Sequence, residues 1–322
     1  MQRPDAVQLR LGVVGCGAIA QRMYATTLPR VAGVRATYVC DTEPTAARVL
    51  ARRLGARAVG FEEICANADA IIIATPPSSH RELVAQCLRA GRIVVCEKPF
   101  VGKAADALEL VARAAQLGCH LHVAHFRRVF PSVKLARGLI ASGALGALNR
   151  IDISEGMRFD WGPRSDYVSR DAMGGVLFDT GSHSVDMALF AAGLDAEVPS
   201  VSVRRVKRDR SEPAHEVEAE FSLRGNFQTV EARLRLSRYR SLANRIRFEL
   251  EHGTIDLSVA LRDGLRLAGS GGSIVVRGAE SRTNLFDCFV EQWRSIFHDA
   301  AGNPFAARRF VGLTGILEAL SG

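Results

Sequence analysis

Two periodicities divide this chain. Through roughly the first 125 residues, short continuous apolar runs alternate with longer stretches whose apolar positions recur at helical spacing. Leu9 to Val14 reads as a strand, about Ala18 to Leu28 as a helix, Val34 to Cys40 as a strand, and Thr45 to Leu54 as a helix stopped by Gly55. The β-branched run Ala70 to Ala74 is followed by a Pro-Pro turn and a helix from about Ser79 to Ala90, ended by Gly91. Arg92 to Cys96 and His120 to Ala124 read as strands around a helix, Ala104 to Leu117, that stops at Gly118. Runs apolar on both faces, alternating with helices, predict a doubly wound parallel sheet. Beyond residue 125 the pattern changes. A helix from about Pro131 to Ala141 leads to a strand, Leu148 to Glu155, and helical spacing returns around Ser182 to Ala191. From Val198 to about Val276 nearly everything alternates with period two. Val217 to Leu223 and Val230 to Leu236, separated by Gly225-Asn226, put apolar residues on one face and charges on the other. The tail, Leu285 to Ala300 and Phe305 to Leu320, is helical again. The predicted architecture is an α/β domain over 1–125 and an α+β domain over 126–322. The second carries a large, mostly antiparallel open sheet, and the terminal helices are free to pack back on the first.

Composition bounds the partners. At 322 residues, 48% apolar and 24% charged, the chain is long enough for two domains with a core each. Net charge is +8, but only four of the 42 basic residues are lysines: Lys98, Lys103, Lys134 and Lys207. That is a whole-sequence arginine bias rather than a localised device, so nucleic acid is not an expected partner. The longest apolar runs, such as residues 69–74, fall far short of the ~20 needed to span a bilayer, and no membrane association is expected. Met1 to Arg10 lacks a secretory pattern. Seven scattered cysteines with no Cys-x-x-Cys pair argue against a disulfide framework or structural zinc. They fit small buried hydrophobes in a reducing cytoplasm.

The chemistry begins where the first strand ends. Gly15-Cys16-Gly17-Ala18-Ile19-Ala20 is the G-x-G-x-x-A form of the dinucleotide fingerprint. Gly15 permits a tight turn, Gly17 lets main chain approach a pyrophosphate, and Ala20 lets the helix pack close, its first amides (Ala18, Ile19) facing phosphate. The next strand ends in Asp41, placed to accept hydrogen bonds from both adenosine ribose hydroxyls and to repel a 2′-phosphate. The first domain is therefore expected to be a Rossmann domain that binds NAD, with NADP less favoured.

Two loops sharpen this. Thr75-Pro76-Pro77-Ser78-Ser79-His80 and Glu97-Lys98-Pro99 follow further parallel strands, at the edge where such sheets meet ligands. His125-Phe126-Arg127-Arg128 comes next, and then Gly174-Gly175-Val176-Leu177-Phe178-Asp179-Thr180-Gly181-Ser182-His183-Ser184-Val185-Asp186. In order and spacing these resemble the glucose–fructose oxidoreductase / inositol dehydrogenase / rhizopine catabolism (Gfo/Idh/MocA) family, over about Leu11 to Leu189.

The resemblance implies that Thr75, Pro76, His80, Glu97 and Lys98 join Gly15, Gly17, Ala18, Ile19 and Asp41 around the cofactor. For His80, at a helix start beside a turn, a structural role competes. It implies that Lys98, ahead of a proline whose peptide bond tends to be cis in the family, hydrogen-bonds the reacting oxygen. His183 takes the substrate hydroxyl proton, while Asp179, four residues earlier, fixes its tautomer and stabilises the imidazolium. Candidate substrate residues are Asp179, His183, Arg127, Trp161 and Tyr167, with Phe159, Asp160 and Asp166 nearby; packing is the equal alternative for the aromatic segment. Arg127 and Arg128 are candidates for substrate contact or loop orientation, with solvated or interdomain roles as equal alternatives. The Arg-rich strand Arg233 to Arg238, with Arg245 and Arg247, reads as a solvated sheet face or subunit interface. No metal is expected. The implied activity is NAD-dependent oxidation of a secondary alcohol of a sugar, aminosugar or cyclitol, or reduction of the ketone. The implied assembly is a homodimer or homotetramer through the second sheet. The alternatives are a non-catalytic NAD(P)-sensing regulator and a dihydrodiol- or biliverdin-type reductase.

Overall fold

A computed structural model describes residues 8–158, 171–196, 198–225, 228–261, 264–277, 284–298 and 302–322. The chain forms two compact units. One comprises residues up to Val101 with Ala105–Ala124 and Phe286–Arg308; the other comprises Gly102–Ala104, His125–Leu285 and Arg309–Gly322.

In the first unit, six strands lie side by side and all parallel: β1 (Leu9–Val14), β2 (Val34–Cys40), β3 (Arg57–Ala58), β4 (Ala70–Ile73), β5 (Ile93–Glu97) and β6 (Leu121–Ala124). Their order, β3-β2-β1-β4-β5-β6, reverses between β1 and β4. Ligands of such sheets bind beyond the carboxyl ends at that switch point. Ile71, Ile72 and Ile73 are fully buried, as expected for a strand covered on both faces. The crossovers carry α1 (Ala25–Thr27), α2 (Pro44–Leu54), α3 (Phe61–Asn67), α4 (His80–Arg89) and α5 (Ala104–Gln116). Two details differ from the sequence pattern. The helix after the fingerprint opens as a π turn, Ala20–Tyr24, and α3, too short to show a period, was not expected. Gly12 explains how α3 docks: a Cβ there would lie 2.5 Å from Ile64 Cγ2, so the bare main chain admits the helix.

In the second unit, α6 (Pro131–Ala141) precedes β7 (Leu148–Gly156), and α7 (Ser182–Ala192) precedes a run of strands. These are β8 (Ser200–Arg208), β9 (Glu216–Arg224), β10 (Thr229–Ser237), β11 (Arg245–Leu250), β12 (Gly253–Ser258), β13 (Gly264–Gly269) and β14 (Gly272–Arg277). The sheet order is β14-β13-β12-β11-β7-β10-β9-β8, and only the β7–β10 pair is parallel. α8 (Leu285–His298) returns to the first unit, apart from its first residue, and α9 (Val311–Ser321) stays in the second. The apolar face, with Phe221, Leu234, Ile153, Phe248 and Leu257 buried, packs under α6, α7 and α9. The opposite face is polar and ordered. Arg205, Glu220, Arg233, Asp152, Arg247, Asp256 and Arg266 stand opposite one another across seven neighbouring strands, alternating in sign at every step. Opposite charges facing across strands support the pairing register. No described helix is long and apolar enough to cross a membrane.

Candidate active site

The first set of residues lies along the carboxyl edge of the parallel sheet. Gly15 leaves β1 with φ of +96°, and a Cβ there would sit 2.5 Å from Ala74 C and O. Only glycine fits this turn. Gly17 differs: it is exposed, and a Cβ would meet nothing within 4 Å. Its bareness answers no neighbour in the fold; it keeps open the approach to the helix start, as a pyrophosphate requires. Asp41 clamps the turn. Cys16 N–H donates to Oδ2 at 2.6 Å and Glu43 N–H to Oδ1 at 2.8 Å. Each carboxylate oxygen keeps a further lone pair for a hydroxyl donor, so Gly15, Gly17 and Asp41 fit a dinucleotide with a free ribose diol. Burial pushes the Cys16 thiol up to about 12, with the Asp41 charge adding to it, so this sulfur stays protonated beside the turn.

Thr75 and Pro76 follow β4. Thr75 Oγ1 and Ser79 Oγ lie 2.7 Å apart, and Ser79 Oγ donates to Pro76 O at 2.8 Å. His80 is wholly buried behind them. Its Nδ1 lies 2.9 Å from Pro99 O and its Nε2 3.0 Å from Thr75 O, so the ring ties the two ligand loops together. Glu97 ends β5 and accepts the Lys98 N–H at 2.9 Å, and the Lys98–Pro99 peptide is cis. Burial holds the Glu97 carboxyl above the usual range, against the pull of Tyr24 and Lys98. Tyr24, fully buried in the π turn, donates its hydroxyl to Glu97 Oε1. Trp293 of α8 meets Tyr24 edge to face at 5.1 Å and donates its indole N–H to Thr27 Oγ1 at 3.1 Å. Sequence reasoning missed this support, because nothing in a run of apolar residues says which aromatic meets a carboxylate.

The second set lies within the second unit. The D-x-x-x-H pair sits on one continuous helical run, Asp179 in a π turn (Leu177–Gly181) and His183 in the first turn of α7. π turns inside α-helices recur at functional sites. Asp179 Oδ2 accepts Arg238 Nη2 at 2.7 Å, and the same nitrogen reaches Gly175 O at 3.1 Å. Arg238 is therefore no part of a solvated arginine face, as its strand suggested: its side chain is 5% exposed. His125 and Phe126 pack edge to face on His183, with ring centroids at 5.6 and 5.4 Å. His125 Nδ1 lies 3.4 Å from Asp186 Oδ2. Arg127 grips Glu155 with both terminal nitrogens at 2.9 Å, and Ser184 donates to the same carboxylate. Arg128 is not solvated either; it is buried against Asp186 and Asp195. Phe159, Asp160, Trp161, Asp166 and Tyr167 lie outside the described residues.

The comparisons with known proteins agree with this layout. Residues 9–125 match the family model described as "Oxidoreductase family, NAD-binding Rossmann fold", and residues 133–256 match "GFO/IDH/MocA C-terminal domain". The first unit therefore carries an NAD(P)-binding Rossmann domain. An inositol 2-dehydrogenase of Rhizobium meliloti (strain 1021) is 30% identical over 58% of this chain and 55% of its own length. The chain thus spans little more than half of that relative. Inositol 2-dehydrogenase 3 of Saccharopolyspora erythraea is 28% identical over 97% of this chain and 93% of its own. Among solved structures, an oxidoreductase from Agrobacterium radiobacter in complex with NAD+, L-tartaric acid and magnesium superposes with a TM-score of 0.79, at 20% identity over 98% and 95% of the two chains. A 3-ketoreductase from Actinomadura kijaniata in complex with NADP and TDP-benzene also gives 0.79, at 18% identity over 98% and 97%. At these identities the superpositions speak for the fold alone.

Proposed function

This chain belongs to the Gfo/Idh/MocA oxidoreductase family, and we propose that it is an NAD-dependent dehydrogenase, or a ketoreductase in the reverse direction, for a secondary alcohol of a sugar, aminosugar or cyclitol. The observation that carries the reading is an amine, Lys98, on the same sheet edge as the glycine turn and Asp41. Bound NAD would supply the hydride acceptor. Gly15, Gly17, Ala18 and Ile19 would hold its pyrophosphate and Asp41 its ribose diol. Lys98 would hydrogen-bond the substrate oxygen as it gains alkoxide character, and His183 would take the hydroxyl proton, supported by Asp179. The names of the relatives support a cyclitol or sugar substrate. A cytoplasmic setting is part of the reading, supported by cysteines of which Cys16, Cys87, Cys96 and Cys288 are buried. So is a homo-oligomer through the second sheet. Its alternating charge row complements a second copy displaced by one strand. The deciding experiment is NAD reduction screened over cyclitols, hexoses, nucleotide sugars and aminoglycosides; no turnover with any class would overturn the reading.

Two predictions test the cofactor site. Gly15→Ala is expected to cost about 2 kcal/mol or more of stability, since the added carbon meets main chain at positive φ. Gly17→Ala should leave the melting temperature unchanged yet weaken NAD, as measured by calorimetric titration. Equal effects of the two on stability would contradict the assignment. Asp41→Ala should lose about tenfold or more in NAD affinity, the worth of hydrogen bonds to a charged acceptor. NADP should gain relative to NAD, and the ratio of kcat/KM values measures it.

A further inference from the structure

Three carboxylates stand on or beside the helical run of His183, and each is held by an arginine, Arg128 being shared with Asp195. Asp179, four residues before it, is held by Arg238 at 2.7 Å. Asp186, three residues after it and 3.4 Å from the intervening His125 ring, is gripped by Arg128 at 2.5 to 3.1 Å. Glu155 on β7, joined to the adjacent Ser184, is held by Arg127 at 2.9 Å. The His125 and Phe126 rings pack on the imidazole. Three bare anions so placed would keep His183 protonated well above neutrality, because an opposite charge nearby favours the charged form. A protonated His183 accepts nothing from a substrate hydroxyl. We propose that Arg238, Arg128 and Arg127 are positioning residues that offset these carboxylates and keep His183 in its base form, Arg238 being decisive because its partner is Asp179. This rests on the reading of His183 as the proton acceptor.

The arrangement also explains why a cation is buried beside a carboxylate meant to stabilise an imidazolium. Asp179 is fixed by Arg238 Nη2, and the guanidinium charge offsets the carboxylate's field at the imidazole. Lysine would keep the charge, and its single ammonium nitrogen has donors enough for Asp179 and Gly175 O, both of which Arg238 reaches through Nη2.

The test reads His183 directly. In the full chain, the imidazole is titrated by NMR with labelled histidine, its signal assigned by its loss in His183→Gln. In Arg238→Met the midpoint is expected to rise by at least about half a pH unit, and in Arg238→Lys to stay closer to the wild type. Adding Asp179→Asn to Arg238→Met should bring it back to the wild-type value or below. Should Arg238→Met not fold, Asp179→Asn alone reads the same balance in the opposite direction, lowering the midpoint because Arg238 is then uncompensated. A midpoint that stays put in Arg238→Met, or in Asp179→Asn where that variant must stand in, would overturn the proposal. So would a rise that survives removal of Asp179. The titration needs no substrate, so a failed substrate screen would sink the dehydrogenase reading and leave this result standing on its own.

Discussion

Replacing Lys98 with Met, or His183 with Ala, is expected to lower turnover at least about 100-fold while NAD still binds, because in the proposed reading each removes a proton-handling group and leaves the glycine turn and Asp41 to hold the cofactor. For Lys98 the argument is local. Its main-chain N–H is fixed by Glu97, whose carboxyl is fixed in turn by the Tyr24 hydroxyl, and Tyr24 is wedged against Trp293. The main chain that carries this amine is thus held in place, and Met keeps the side chain's length while removing its proton and charge. For His183 the argument is chemical: of the side chains in its cluster, only imidazoles change protonation near neutrality, and His125 is wholly buried. Steady-state rates, beside a fluorescence titration of NAD, separate the two effects. Unchanged turnover in both variants would end the catalytic assignment. Lost NAD binding in His183→Ala would instead make it a cofactor residue.

How much of this was legible beforehand follows from which forces write themselves into linear order. The parallel sheet was legible because strands buried on both faces leave unbroken apolar runs, as Ile71 to Ile73 do. The fingerprint was legible because its spacing is local and Gly15 answers to the stereochemistry of the turn. What escaped depends on contacts between distant segments. Arg238 was grouped with Arg233 and Arg235 by its charge, although it falls on the side of Leu234 and Leu236 and beyond Ser237, where β10 ends; its burial is decided by Asp179 and Gly175, partners distant in sequence. Tyr24 lies in a π turn, where 3.6-residue spacing no longer tells which side faces in. Both tail helices were legible as helices, yet which unit each joins is decided by partners: Trp293 by Thr27 and Tyr24, Phe310 by His125 and Arg128. The alternating charge row could not be read at all without the strand order, since it draws one residue from each of seven strands.

Arg128→Met is expected to cost the second unit about 3–5 kcal/mol, the usual result of breaking a buried ion pair from one side. The guanidinium is 1% exposed, bonded to Asp186 at 2.5 to 3.1 Å and to Asp195 at 3.0 Å, and lies 3.9 Å from the Phe310 ring centre and 4.9 Å from that of Phe190. Met fills the space between the rings but leaves Asp186 without that partner, while Arg137 and Arg309 still hold Asp195. Burial already pushes the Asp186 carboxyl above its ordinary range, with Arg128 the group that pulls it back. Without Arg128 the carboxyl is driven further up, so at neutral pH the folded variant must either bury a bare charge or bind a proton that the unfolded chain does not. That gives the prediction a sign as well as a size. The cost is fully present near pH 7 and shrinks as the pH falls toward the ordinary carboxylate range, where the unfolded chain is protonated too. Urea unfolding of the two proteins at a series of pH values measures it, and the gap between them should close as the solution is acidified. By contrast Arg10→Met, which breaks an ion pair to Asp69 whose members are 51% and 37% exposed, should cost no more than about 1 kcal/mol. A loss as small as that for Arg128, or a gap that stays constant with pH, would mean the network is not what holds α7 to the segment after β6.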